Sequence, residues 1–87
     1  MQLLKKWKLA RMKRRLRGLE VYAEYWRNEQ RRLALEAYNV QDHMTNPLRW
    51  GRLQNGANWA GHYSRKYYAE ATQLRKEIDS FAAYGLQ

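Results

Sequence analysis

The feature that most constrains the fold of this chain is an unbroken row of positions spaced alternately three and four residues apart. The row spans residues 9–40, and nine of its ten members are apolar. It comprises Leu9, Met12, Leu16, Leu19, Ala23, Trp26, Gln30, Leu33, Ala37 and Val40. This spacing aligns side chains along one side of an α-helix and is typical of coiled-coil seams. The sequence therefore predicts a long helix over about residues 3–40.

A second row with the same spacing lies near the C-terminus. It comprises Ala60, Ser64, Tyr67, Ala71, Leu74, Ile78 and Phe81. Asn58 is a suitable N-cap and Gly85 a suitable stop, which predicts a second helix over about residues 58–83. No strand-like alternation competes with these patterns. We therefore expect an all-α fold, in which the two seams pack together as an antiparallel helical hairpin.

Glycines and a proline punctuate the sequence between the two rows. Asn46-Pro47 is typical of an N-cap followed by proline in the first helical turn. Gly51 and Asn55-Gly56 then predict a connector, with room for a short helix over about residues 47–54. Gly18 is the one weak position inside the first helix, because glycine costs about 1 kcal/mol relative to alanine there. We expect one helix through Gly18 and leave a bend at that point open.

The composition predicts a single domain with a thin core. The chain has 87 residues, of which 15 are Leu, Ile, Val or Phe. Such a low aliphatic content combined with high charge approaches the composition of disordered chains. Four Trp and seven Tyr offset it, because each aromatic ring can bury a large area. We therefore expect aromatics such as Trp59, Tyr63 and Tyr67 to serve mainly as core material, with stacking of single-stranded bases as the alternative.

The positive charge is concentrated at one end of the chain. Of the 17 basic residues, eight lie within residues 5–17, and no acidic residue precedes Glu20. Residues 1–17 therefore carry +8 of the net +9, and the other 70 residues carry +1. Such a segment repels itself unless it meets an acidic partner. We refer to residues 1–17 as the basic segment.

The basic segment is the principal candidate binding site. Its cations are Lys5, Lys6, Lys8, Arg11, Lys13, Arg14, Arg15 and Arg17. Their density on a helix matches the phosphate density of a nucleic acid, and no sequence-reading motif accompanies them. The leading hypothesis is a non-catalytic accessory protein that binds nucleic acid largely independently of sequence. An acidic protein surface or an anionic membrane surface would attract the same helix.

A second apolar stripe occupies a different side of the first helix. Its apolar members are Leu4, Trp7, Val21, Tyr25 and Leu35. A hairpin partner can cover only one of the two sides, so this stripe is either a contact with another chain or ordinary surface cover. The first reading predicts a protein partner or a homo-oligomer. The alternative function is thus a structural or regulatory subunit of an assembly, of the general type of phage virion components and host-enzyme inhibitors.

The sequence offers little support for catalysis. Asp42-His43 and His62 with Ser64 lack a third partner, and Tyr63 and Tyr67 lack the paired histidines that metal-assisted tyrosine chemistry needs. No residues have metal-ligand or phosphate-loop spacing, and the absence of cysteine excludes disulfides and thiolate sites. We expect no enzyme, no metal and no cofactor.

The composition also bears on location. No apolar run approaches the ~20 residues needed to span a bilayer, although peripheral membrane contact stays open. An Arg-rich, acid-free N-terminus occurs in mitochondrial presequences, but these are rich in serine, and no Ser or Thr precedes Thr45. We therefore expect a location in the cytoplasm or within a macromolecular particle, with mitochondria as the lesser alternative.

Overall fold

The chain folds into two long helices that lie antiparallel against each other. The computed structural model describes residues 2–39 and 46–85. Helix α1 is Gln2–Asn39, helix α2 is Pro47–Ser80, and a π-helical turn, Phe81–Gly85, continues α2. The resulting rod measures 66 × 15 × 14 Å between Cα atoms. The predicted all-α antiparallel hairpin is confirmed, while Val40 and Asp42-His43 lie outside the described residues.

The prediction of a connector between the two helices is wrong from Pro47 onwards, because that part of the chain is helical. Instead of a short helix over 47–54 and a second helix from 58, a single helix begins at Pro47 and passes through Gly51 and Gly56. Asn46 is its N-cap as expected, although its side chain makes no capping hydrogen bond. Asn58 is therefore an interior helical residue and not a cap. At the other end α2 changes to π-helical geometry at Phe81, close to the expected boundary.

The buried positions follow both predicted seams. Along α1, Ala23 and Ala37 are buried and the other described seam members are partly buried. Along α2, the seam residues Ala60, Ser64, Ala71, Leu74 and Ile78 are buried. Helix α1 also runs without interruption through Gly18. The three-four spacing alone therefore identifies which side of each helix faces the other.

Small side chains bring the two helices close together. Seven of the nine buried residues that the structure describes are Ala, Gly or Ser. A Cβ atom added to Gly61 would lie 2.5 Å from Nε2 of Gln30, and one added to Gly56 would lie 3.1 Å from Cδ1 of Leu33. Gly56 and Gly61 therefore leave room for the side chains of Leu33 and Gln30 of α1, which a larger residue at either position would contact too closely. These glycines serve helix packing and do not form a turn.

The expectation that aromatic rings form the core is wrong. No aromatic side chain among the described residues is buried. The rings lie beside the seam, where Tyr22 stacks on Tyr67 with centroids 5.6 Å apart and Trp26 lies against Tyr63 at 5.1 Å. The reason is steric, because helices joined through alanine and glycine leave no room for rings between them. Aromatic contacts therefore cover the edge of a core made of smaller residues.

Candidate acidic-partner interface

The basic segment forms the first turns of α1 and exposes its cations to solvent. All eight predicted cations lie in the helix; Lys5 is half-buried and the other seven are exposed. They occupy several sides of α1, and of the eight only Lys5 continues the row of the seam, four residues before Leu9. A helix fixes the spacing of these charges, which a disordered tail would not do.

The cations of the basic segment have few partners inside the protein. Among the residues described, no ion pair joins any of the eight to a carboxylate. Lys8 places its Nζ atom 5.3 Å from the ring centroid of Phe81, an attraction between a cation and an aromatic face. Arg15 lines a surface hollow together with Glu70 and Glu77 of α2. The other cations keep their charge available to a partner.

The antiparallel arrangement does not neutralise this end of the rod. The C-terminal half of α2 lies beside the basic segment and contributes Glu70, Glu77 and Asp79. It also contributes four cations: Arg65, Lys66, Arg75 and Lys76. Glu20 of α1, which accepts a hydrogen bond from Arg75, also belongs to this half. The half of the rod that holds the chain ends therefore carries +8 of the net charge of +9. Folding separates a strongly basic half from a half whose charges sum to +1.

Apolar side chains lie among the cations. Trp7 is 66% exposed and borders a hollow of about 330 Å³ with Ala10, Arg11 and Arg14. Leu4, which is 71% exposed, lies one turn before it on the same side. A flat indole beside two guanidinium groups can receive an aromatic ring or an apolar group of a partner. The site thus combines charge with an apolar contact.

The second stripe continues along the outer side of α1, away from α2. Val21 is 69% exposed, and Tyr25 and Leu35 are more than half exposed. The prediction that the hairpin covers only one of the two apolar sides is therefore confirmed. Gly18 lies in this stripe, and no atom lies within 4 Å of the position that its Cβ would occupy. The stripe is an accessible surface with an open notch at Gly18.

The half of the rod away from the chain ends holds a local cluster of charges. Arg32 donates from Nη2 to Glu29 at 2.9 Å and from Nη1 to Glu36 at 2.7 Å. The hydrogen bond from Arg32 holds the pKa of Glu29 below its ordinary value, and the same contacts raise the pKa of Arg32. In the basic half, Arg75 donates to Glu20 at 3.1 Å across the two helices. These cations are satisfied within the chain, unlike those of the basic segment.

Sequence reasoning did not anticipate a cluster of exposed rings beside the seam. Trp59 is 60% exposed and lies 6.1 Å from Tyr63, which in turn contacts Trp26. Tyr22, which the seam pattern excluded, is also more than half exposed. The available signal was the position of Tyr22 next to the seam residue Ala23, which places its ring at the edge of the helix contact.

The candidate catalytic residues gain no support from their surroundings. His62 meets Trp59 and Tyr63 edge-on, and Tyr63 and Tyr67 are engaged in ring contacts. His43 lies outside the described residues. Within the described parts of the chain, no group of three or more His, Cys, Asp or Glu residues could hold a metal ion. None of the helices described here is both long and apolar enough to cross a membrane.

Comparison with known proteins adds no assignment. No family model matches the chain, and no curated protein or solved structure matches it either.

Proposed function

We propose that this protein is a non-catalytic accessory protein whose basic rod end binds nucleic acid. The observation that carries the proposal is the concentration of +8 of the net charge of +9 in the half of the rod that holds the chain ends. Seven of the eight cations of the basic segment are exposed, and the described residues give none of the eight a carboxylate in an ion pair. A stable arrangement of so many like charges implies an acidic partner.

Nucleic acid fits the spacing of these charges. Eight cations within residues 5–17 span about 18 Å of helix axis at 1.5 Å per residue. Duplex DNA carries one phosphate charge per about 1.7 Å of its axis, so the two densities are similar. Arginine is the commoner cation in the chain, with 11 Arg against 6 Lys, and its guanidinium group suits bidentate phosphate contacts. Contacts of this kind position a protein without reading sequence.

The salt dependence of binding tests this proposal. We expect the full-length chain to bind unrelated oligonucleotides with similar affinity in fluorescence anisotropy. If about five phosphates are engaged, the logarithm of the association constant falls with the logarithm of the salt concentration at a slope near −4 to −5. A slope near zero, or no binding at low salt, would contradict the proposal. Anionic vesicles in flotation serve as a comparison for an anionic membrane surface.

A matched pair of variants separates location from net charge. One variant, Lys6→Gln/Lys13→Gln, removes two exposed cations from the basic half of the rod. The other, Arg27→Gln/Arg52→Gln, removes two exposed cations from the opposite half. The first variant is expected to reduce the magnitude of the salt slope by about two, because each neutralised contact releases about one counterion fewer. The second is expected to bind like the wild type. Equal effects would show that only net charge matters.

A second candidate function is a structural or regulatory subunit of a protein assembly, in the cytoplasm or in a macromolecular particle. The exposed outer side of α1 favours it, since Val21 and Leu35 are more than half exposed on a chain with little buried surface. Replacing both residues with Ser is expected to prevent assembly while leaving nucleic-acid binding intact. Assembly that survives this change would identify the stripe as ordinary surface cover.

A further inference from the structure

The outer side of α1 is complementary to itself when one copy is reversed. We call this side the outer stripe; it is a row with three-four spacing over residues 4–35. Its members are Leu4, Trp7, Arg11, Arg14, Gly18, Val21, Tyr25, Asn28, Arg32 and Leu35. Two such helices placed antiparallel bring together residues whose numbers add to 39. This register pairs all ten positions of one copy with all ten of the other.

The pairs match in size and chemistry. Leu4 of each copy meets Leu35 of the other, so the ends of the interface are apolar. At the centre, the exposed side chain of Val21 meets Gly18, where no atom of the hairpin occupies the space that a Cβ would take. Val21 of each copy therefore fits the notch at Gly18 of the other, so the same contact occurs twice, once on each side of a two-fold axis.

The remaining pairs place cations against rings or a neutral amide. Arg14 meets Tyr25, and Trp7 meets Arg32, whose guanidinium group Glu29 and Glu36 already hold by hydrogen bonds. Attraction between a guanidinium group and an aromatic face allows both to lose water on contact. Arg11 meets Asn28, so no position of the stripe brings two cations face to face.

Charges beside the stripe select the antiparallel direction. The reversed register brings Arg17 beside Glu24 on one flank and Lys8 beside Glu29 on the other. A parallel pairing of identical chains would place Arg11 against Arg11, Arg14 against Arg14 and Arg32 against Arg32 within the stripe. Reversal avoids these contacts between like charges and brings the basic first half of each α1 helix beside glutamates of the other.

We infer that two copies of this chain associate through the outer stripes of their α1 helices, antiparallel and about a two-fold axis between Leu19 and Glu20. The hairpin exposes Leu4, Val21 and Leu35 on a common side, and the second copy buries all three. Lys6 and Lys13 point away from the outer stripe, so the dimer still presents cations to nucleic acid, while Arg11 and Arg14 lie within its interface. Each end of the dimer then presents one basic rod end.

Engineered cysteines test the register directly, because the chain contains no cysteine of its own. Leu4→Cys mixed with Leu35→Cys is expected to give a disulfide-linked heterodimer under mild oxidation. Leu4→Cys alone is not expected to cross-link, because the two copies of residue 4 lie about 46 Å apart along an antiparallel pair. Cross-linking of Leu4→Cys with itself, at a yield equal to the mixture, would overturn the antiparallel arrangement.

Sedimentation in the absence of nucleic acid tests the association itself. The mass is expected to double from the 10.6 kDa of one chain and to return to that value in Val21→Ser/Leu35→Ser. Arg17→Glu is expected to weaken the dimer, and Arg17→Glu/Glu24→Arg to restore it. Gly18→Gln, which fills the notch with a good helix former, is expected to favour the monomer without loss of helix content.

The outcomes separate this inference from the proposed function. A monomer at every concentration up to the solubility limit, or a mass unchanged by the stripe substitutions, overturns the dimer and leaves nucleic-acid binding standing. A dimer that binds no oligonucleotide overturns the proposed function alone. Capture of the monomer on anionic vesicles through Leu4 and Trp7 would assign the stripe to a membrane surface and would also overturn the dimer.

Discussion

The hydroxyl group of Ser64 on α2 donates a hydrogen bond to the backbone carbonyl oxygen of Ala23 on α1 at 3.2 Å. A side chain as short as serine can reach the backbone of a neighbouring helix only where the two helix axes come close together. Both residues are buried, and both lie at predicted seam positions. This contact marks a close approach of the two helices near the middle of the rod.

Substitutions at Ser64 should measure how closely the helices must approach. Ser64→Ala removes one hydrogen bond and is expected to lower the free energy of unfolding by about 0.5–1.5 kcal/mol. Ser64→Leu forces the helices apart and is expected to cost about 1–3 kcal/mol. Urea unfolding followed by circular dichroism at fixed protein concentration measures both values. Ser80→Leu, at an exposed position of the same helix, is the control, and equal stability of the two leucine variants would contradict this account.

Two helical glycines should respond differently to alanine. Gly51→Ala is expected to raise the free energy of unfolding by about 0.5–1 kcal/mol, because its Cβ enters open space. Gly61→Ala is expected to gain nothing, because its Cβ would lie 2.5 Å from Nε2 of Gln30 and that side chain must move. Adding Gln30→Ala should restore the gain at Gly61 but not alter that at Gly51. If the free-energy change of Gln30→Ala simply added to that of Gly61→Ala, as it should to that of Gly51→Ala, a contact between Gln30 and Gly61 would be contradicted.

The continuity of α1 through Gly18 should matter for binding. Gly18→Pro removes a backbone hydrogen bond and costs about 3 kcal/mol or more in a helix interior, which uncouples the basic segment from the hairpin. We expect it to weaken nucleic-acid binding, whereas Gly18→Ala should preserve both helix and binding. Anisotropy and circular dichroism measured on the same samples check this. Equal affinity of the two variants would show that the basic segment acts as a flexible tail.

The acid titration of Glu29 should depend on Arg32. The hydrogen bond from Arg32 lowers the pKa of Glu29 below its ordinary value of 4.5, so Arg32→Gln is expected to raise it. A carboxylate with a lowered pKa stabilises the fold above its unfolded-state pKa, and this stabilisation is lost as the pH falls through the folded-state value. Carboxyl NMR shifts followed from neutral to acidic pH measure the change. Arg27→Gln, which removes an exposed cation from the same helix, is the control and should leave the pKa of Glu29 unchanged.

Periodicity predicted the helical contact well. The two seams could be read from the sequence because burial along a helix depends on an average over many turns, and no single residue decides it. Gln30 illustrates this point, since a polar residue at a seam position did not interrupt the pattern and is partly buried as its neighbours are. The exposure of Val21 and Leu35 followed from the same geometry.

Residue-type preferences gave wrong predictions where the contact between the two helices determines the structure. Gly51 and Gly56 are typical of a turn, yet both lie inside α2. Contact with Leu33 of α1 explains Gly56, and such a contact cannot be recognised before the partner helix is known. The aromatic residues failed as core predictions for a related reason: the close approach set by Ala23 and Ser64 excludes rings such as Tyr67. The candidate partner remains a proposal because charge identifies a class of ligand and not its identity.

The alanine-rich seam has a consequence for the entropy of folding. Leucine or methionine side chains lose rotamer freedom when they become buried, whereas alanine and glycine have none to lose. The contact surface of Ala23, Ala37, Ala57, Ala60 and Gly61 therefore forms with almost no side-chain ordering. A hairpin that buries little apolar area can still form, because the side chains in its helix contact lose almost no rotamer entropy when they are buried.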